Sequence, residues 1–448
     1  MYKHKLLTLF FLLNSVITYS QDMVWTYQQC VEYAIENNLF VKLQNYDVLE
    51  RTEEYAQARS QRYPNVTGFY SHSYNRGLNP DPITNRNDIQ NVNTGSIGAQ
   101  VGVPIFNGFR INNTIKQSRK NIESSELGKE KIENDIIIQV TENYLDVIYK
   151  YENIDISKKR VKTLEEQVER TKKLVDAGSS PLSELLDLMS QFADTERQLT
   201  EAENAYNIAL LTLKQSMQLD FSTPFEIDIP QFQDPDTTVQ FSSNSNTVFE
   251  ESKNIMPEIK QAEANIAASQ YQVKIAEGAY YPTVNFNGNV NTRYASNYVN
   301  PLDPTDSSLG TQFENFFSQA ATVQLNIPIY NRRDTKTQVN KAKITTMKNE
   351  VQLQQELNDL RQKIEQAYIN ALSAQKTYMS SKKSVESLEE QFRSVNKRFV
   401  SGAANTTDYV VAENNLNIAK AELNRAKYQF IFSRKILDFY EGKQIILE

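Results

Sequence analysis

Little in this chain could do covalent chemistry. Its 448 residues include two histidines and one cysteine, Cys30. His4 falls in an apolar N-terminal leader, so His72 is the one imidazole left in the body of the chain. A zinc site, a cysteine nucleophile and a disulfide framework all need more than this. No Ser/His/Asp set and no phosphate loop occurs, and Gly108 in FNGF and Gly178 read as turn glycines rather than a nucleotide cradle. Carboxylates are plentiful, but they recur along helix faces at coiled-coil spacing, where a solvated charge is the ordinary expectation. These residue types argue against an enzyme and call for no cofactor and no metal. A net charge of −7 with no basic patch argues against nucleic acid as a partner.

The elements around those residues are more informative. Lys3 and Lys5 precede LLTLFFLLNSVI and then Thr18-Tyr19-Ser20. A charged region, an apolar run and a small-x-small site predict a signal peptide over residues 1–20, cut between Ser20 and Gln21. The apolar run is too short to span a bilayer. No later segment reads as a transmembrane helix, so any membrane span would have to be β.

The rest of the chain is written twice. Tyr63-Pro64 and Tyr281-Pro282 are 218 positions apart, while Pro104 in GVPIFNGFR and Pro328 in LNIPIYNRR are 224 apart, as are Gly178 and Gly402. A tandem duplication follows, with repeat 1 over 21–219, a linker over 220–250, repeat 2 over 251–440 and a tail over 441–448. Each repeat reads helix, strand, loop, strand, long helix, tight turn, long helix. Val161, Leu164, Val168, Thr171 and Val175 follow a 3-4-3-4 spacing, and Val385, Leu388, Phe392, Val395 and Phe399 repeat it. That is a narrow apolar seam suited to knobs-into-holes packing. A helix from about 111 to 177 would be roughly 100 Å long. Hairpin tips are expected near 178–181 and 401–405.

Four strands break this helical code, at 64–74, 94–106, 282–293 and 319–330. In the second, Ile97, Ala99, Val101, Val103 and Ile105 alternate with Ser96, Gly98, Gln100 and Gly102. Strands of about ten residues, apolar on one face and amide-bearing on the other, have the dimensions of a transmembrane β-strand. Tyrosines cluster near the strand ends, as in an interfacial girdle. The segments joining the strands of each pair, 76–93 and 294–317, read as polar loops. Open sheet edges cannot face lipid, and four strands are too few to close a barrel, so the chain is expected to oligomerise. Three copies would enclose a lumen, which the amide-bearing face favours.

In this order and duplication the chain resembles the TolC family of outer-membrane efflux proteins. The resemblance is carried by AIENN (34–38), ARSQRYPNV (58–66), GVPIFNGFR with LNIPIYNRR, and RFVSGAANTTDYVVAENNLNIAKAELNRAKYQF with its first-repeat partner. It implies a mostly α fold with a membrane β part: a homotrimer in outer-membrane lipid sharing a 12-stranded β-barrel, four strands per chain, continuous with a 12-helix α-barrel of coiled-coil helices in the periplasm. It implies a passive efflux or type I secretion duct, with a periplasmic adaptor and an inner-membrane pump of RND, ABC or MFS type as partners. By the same resemblance the tips Gly178-Ser179-Ser180 and Gly402-Ala403-Ala404 dock the adaptor. Asp408 matches an acidic position at the periplasmic aperture, and Glu184 is its first-repeat counterpart. Read from the residues alone, Asp408 is equally a helix N-terminal acid stabilised by the macrodipole, and Glu184 another, with Ser183 as a candidate cap. Two positions depart from the family pattern: a second aperture acid falls on Val411, and a basic gate-latching residue on Ala404. The competing expectation is a periplasmic or surface coiled-coil protein that conducts nothing. It explains the heptads and the export but not the strands.

Overall fold

The computed structural model describes residues 24–80, 86–230, 234–235 and 244–447. The expected cleavage site at Ser20 and Gln21 lies outside the described residues. In chain order the elements are β1 (Val24–Trp25), α1 (Tyr27–Asn37), α2 (Leu39–Ser60), β2 (Asn65–Pro80), β3 (Asn87–Asn107), α3 (Arg110–Asp176) and α4 (Leu182–Ser216). They continue with β4 (Glu226–Ile227), α5 (Ser245–Ser252), α6 (Pro257–Glu277), β5 (Thr283–Ala295), α7 (Leu309–Asn315), β6 (Ser318–Asn326), α8 (Asp334–Val400) and α9 (Thr406–Tyr440). The long helices of the two repeats match in length, 67 residues for α3 and α8 and 35 for α4 and α9.

The chain folds as two compact units, and each draws on both repeats. One comprises the chain up to Tyr46, Leu127–Lys260 and the chain from Gln355; the other comprises Asp47–Glu126 and Gln261–Gln354.

In the first unit, Thr26 and Gln29 close a capping box that starts α1. Tyr27, Cys30, Val31 and Ala34 then face a core built with Val140, Tyr144, Ile148, Leu213 and Met217. The linker and the tail are tied to the same core. β1 pairs in parallel with β4, and Ile227 and Ile445 are buried there. Asp234 of the linker reaches Lys382 on α8 at 2.7 Å. The heptad seam of the second repeat is present, with Val385, Leu388 and Phe392 packing on Leu416 and Ala419. In the first repeat, Gln167 is buried beside Leu164 and Thr171, while Val161 and Val168 are half-buried.

The second unit carries an antiparallel sheet in the order β2-β3-β5-β6. Its register separates two faces, because residues directly opposite share a side. One face shows the rows Val66–Val101–Gly288–Ala321 and Val103–Phe286–Val323. The other shows Asn65–Gly102–Asn287–Thr322 and Thr67–Gln100–Asn289–Ala320. A bulge between Pro104 and Phe106 absorbs the proline in β3. The outermost strands, β2 and β6, leave two open edges, and β6 is exposed along its whole length.

Strand lengths differ from the sequence expectation. Pairing of β2 with β3 runs on to Pro80 opposite Asn87, so most of the expected first loop is hairpin. Main-chain hydrogen bonds continue there after the apolar alternation has stopped. The fourth strand ends at Asn326 rather than Tyr330, since Pro328 has no N–H to give a ladder. Ile329 beyond it is 94% exposed. The second loop holds an unexpected short helix, α7, started by the Ser308 side chain accepting from Thr311 N–H.

Candidate functional site

Both long hairpins turn by the same backbone device. Gly178 has φ +73 and Gly402 φ +75, the left-handed region that closes a helix C-terminus. After α3, Ser179 N–H bonds Leu174 C=O at 2.8 Å and Gly178 N–H bonds Val175 C=O at 2.9 Å. After α8, Ala403 bonds Arg398 at 2.8 Å and Gly402 bonds Phe399 at 3.0 Å. A Cβ at either glycine would meet nothing within 4 Å. Backbone conformation, not crowding, requires glycine at these two positions.

The returning helices begin differently. Pro181 caps α4 without a side-chain bond, so Ser183 is not the cap and lies within the helix. Asn405 caps α9 by accepting from Asp408 N–H at 2.7 Å. Asp408 therefore occupies the first turn of α9, exposed, where the helix macrodipole favours a carboxylate. Glu184 is half-buried and accepts from two hydroxyls, Ser180 of its own hairpin and Thr406 of the other. Ser179, Ser180, Glu184, Gly402, Ala403, Ala404 and Asp408 line one groove of about 890 Å³, and Arg170 and Asp187 share it. Gly178 turns just outside. Ala404 and Val411 give no charge, and the link between the tips is made by Thr406 instead.

Away from the tips, α3 meets α9 along a polar seam. Arg160 donates to Asn414 of α9 at 3.1 Å and to Gln198 of α4 at 2.5 Å. Farther along, Asn424 donates to Asn153 at 3.1 Å and Tyr428 to Glu152 at 2.7 Å. Within this seam Glu413 is only 6% exposed. Burial pushes its carboxyl up to about 7, opposed by the charge of Arg160. Burial likewise raises the neighbouring Tyr409, with a smaller push from Glu413, while a hydrogen bond from Gln167 opposes it. Arg160 Nε, Gln167 Oε1 and Asn417 Nδ2 are buried without a hydrogen-bond partner. The other side of α9 is apolar: Ala426 and Phe430 pack on Ala374 and Tyr378 of α8, and the Tyr409 ring lies 4.9 Å from Phe399 and 5.3 Å from Phe392. Among the described residues no group of three or more His, Cys, Asp or Glu could hold a metal ion, and no helix is long and apolar enough to cross a membrane.

The family model described as outer membrane efflux protein matches residues 31–217 and 249–440, one stretch in each repeat. The chain belongs to the outer membrane efflux protein family. It is thus an outer-membrane protein of the TolC family, whose members are channels rather than enzymes. Among curated relatives, the outer membrane efflux protein BepC of Brucella suis biovar 1 is 22% identical over 93% of this chain and 85% of its own. A crystal structure of CusC superposes with a TM-score of 0.77 at 16% identity, covering 93% of this chain and 92% of that one. The outer membrane channel CmeC of Campylobacter jejuni gives 0.76 at 18%, covering 93% and 85%. At these identities the structures establish a TolC-like fold.

Sequence reasoning missed three parts of this efflux protein's tip region. Thr406 as the partner of Glu184 is a contact between repeats and leaves no local signal. The Asn405 cap was legible in NTTD, a polar cap with an acid three residues on. Glu413 sits at a helical spacing that ordinarily means solvent, and the structure corrects that expectation by burying it.

Proposed function

We propose that the chain is one protomer of a passive homotrimeric duct that carries solutes across the periplasm and the outer membrane. The observation that carries this reading is the four-stranded sheet, with one apolar face, one amide-lined face and two open edges. Lipid tolerates an apolar face but not an unpaired edge, so β6 of one chain pairs with β2 of the next until the sheet closes. Three chains close a barrel of twelve strands with the amide face inward, and the long hairpins form a twelve-helix conduit on the periplasmic side. Family membership supports the same reading.

The two tips form the periplasmic aperture. Three copies of Asp408 ring it and favour cations in a narrow opening. Glu184 latches hairpin to hairpin through Thr406 within each chain. A periplasmic adaptor docks at Gly178-Ser179-Ser180 and Gly402-Ala403-Ala404 and parts the hairpins, and an inner-membrane pump of RND, ABC or MFS type supplies the energy and selects the cargo. The test is conductance of the detergent-extracted protein in a planar bilayer, with oligomeric mass measured on the same sample. Discrete, voltage-stable channels from a trimer are expected. A protein that stays soluble without detergent and never inserts would return the coiled-coil alternative.

A further inference from the structure

The amide-lined face of the sheet carries one charged side chain over the region where β5 is paired. Its successive rows read Asn65–Gly102–Asn287, Thr67–Gln100–Asn289, Phe69–Gly98–Asn291, Ser71–Ser96–Arg293 and Ser73–Thr94–Ala295. Arg293 alone breaks the neutrality, at the loop end of the face. Hydroxyls surround it. Ser96 is its direct cross-strand neighbour, Ser71 and Ser96 bond each other at 2.8 Å, and Ser73 and Thr94 form the next row. These four hydroxyl residues, Arg293 and Phe316 line a recess of about 490 Å³.

The guanidinium is also held in place. Its carbon lies 4.6 Å from the centre of the Phe316 ring, a cation–π contact that leaves the N–H fork free to point outward. Phe316 is positioned by α7, which is pinned to β5 where β6 no longer covers the edge. Gln312 Oε1 accepts from Ala295 N–H at 2.8 Å, and Thr292 Oγ1 donates to Phe313 C=O at 2.8 Å. A fixed arginine among hydroxyl donors, with no carboxylate in its rows, fits a carboxylate or a phosphate and repels a cation.

We infer that Arg293, with Ser71, Ser73, Thr94 and Ser96, forms an anion-attracting station on the polar face of the sheet, recognising carboxylate- or phosphate-bearing solutes. In the trimer the station is threefold and faces the lumen, where it sets a positive zone. The inference rests on the conduit reading for which face of the sheet is wet.

The test reads the local potential and does not depend on the aperture. A reporter thiol is placed one row away on the same face, Asn291→Cys, in the full-length protein. Cys30 is fully buried and silent. Reaction rates with an anionic and a cationic methanethiosulfonate reagent are compared, and their ratio cancels changes in the thiol's own reactivity. Arg293→Gln is expected to lower the anionic-to-cationic ratio about threefold or more at ~0.05 M salt, with the effect fading near 1 M. Arg293→Lys keeps the ratio if charge is what matters, and Phe316→Leu reduces it partway. A ratio that Arg293→Gln leaves unchanged overturns the station and leaves the conduit standing. A thiol that neither reagent reaches means the face is dry, which overturns both.

Discussion

The buried carboxyl of Glu413 makes the α3–α9 seam sensitive to pH, and the sign follows from its environment. An ordinary glutamate titrates near 4.5, whereas burial raises this one to about 7. The folded seam therefore holds a proton that the opened seam releases. Its stabilising contribution is full below about pH 4.5, is lost as pH rises toward 7, and does not fall further above that. The gap corresponds to about 3 kcal/mol, or a few hundredfold over the whole titration in the equilibrium between closed and open seam. Arg160 is the charged group that opposes the shift, and its guanidinium is shared with Gln198 and Asn414. Glu413→Gln keeps the shape and removes the titration. The assay is amide hydrogen exchange of α9 residues 409–417 at pH 5 and pH 8, corrected for intrinsic rates. In the parent protein, protection is expected to fall between these pH values by about tenfold to a hundredfold. In Glu413→Gln it stays level, and at pH 8 it exceeds the parent. Equal pH dependence in the two proteins would refute the reasoning, because the proton would then be binding elsewhere.

Other expectations follow from the tips and the core. Thr406→Val keeps the bulk of the side chain but removes the hydroxyl that joins the hairpins. It is expected to cost about 1–2 kcal/mol at that contact and to raise open probability in single-channel records, and unchanged records would deny the latch. Asp408→Asn leaves the Asn405 cap intact, so the helix should persist while cation preference falls. Reversal potentials in a salt gradient that do not move would reduce Asp408 to a macrodipole partner worth under about 1 kcal/mol. Gly178→Ala and Gly402→Ala strain a left-handed turn with open space around it and should cost about 1 kcal/mol each in thermal melting, with Asn milder than Ala. Bulky β-branched residues there should weaken adaptor binding more than trimer mass, and loss of the trimer itself would contradict the docking role. Cys30, its thiol pushed up to about 12 by burial, should resist maleimide at pH 7.5 and react fully after denaturation. Rapid labelling of the folded protein would show that the α1 core opens.

What the sequence made legible divides by the range of the interaction. Tips were readable to the residue because a glycine that must adopt positive φ is a local signal, and its repetition at Gly178 and Gly402 removed the ambiguity. Strand faces were readable because alternation is local too. The extent of β2 and β3 was not, since pairing from Asn75 to Pro80 depends on the partner strand and not on apolar side chains. Helix α7 escaped notice because seven residues carry too little periodicity to register. Glu184 was singled out by resemblance, but its partner Thr406 lies in the other repeat, and no spacing rule joins two hairpins. Glu413 follows the helical spacing of a solvated acid, and only packing against α3 reverses that.

The two sides of α9 decide which part of the molecule can give on the proposed function. Toward α8, Phe392, Leu416, Ala426 and Phe430 bury apolar surface that water cannot replace, so parting them forfeits the full hydrophobic contribution. On the other side, Thr406–Glu184 joins α9 to α4 at the tip, and the rungs to α3 are Arg160–Asn414, Asn424–Asn153 and Tyr428–Glu152. Each is worth about 0.5–1.5 kcal/mol net where both groups are neutral and about 1.5–3 kcal/mol where one is charged, well below its strength in isolation, because water offers the same bonds once the helices part. The second hairpin should therefore move as one body, keeping its α8–α9 core, while the polar seam exchanges its rungs for solvent.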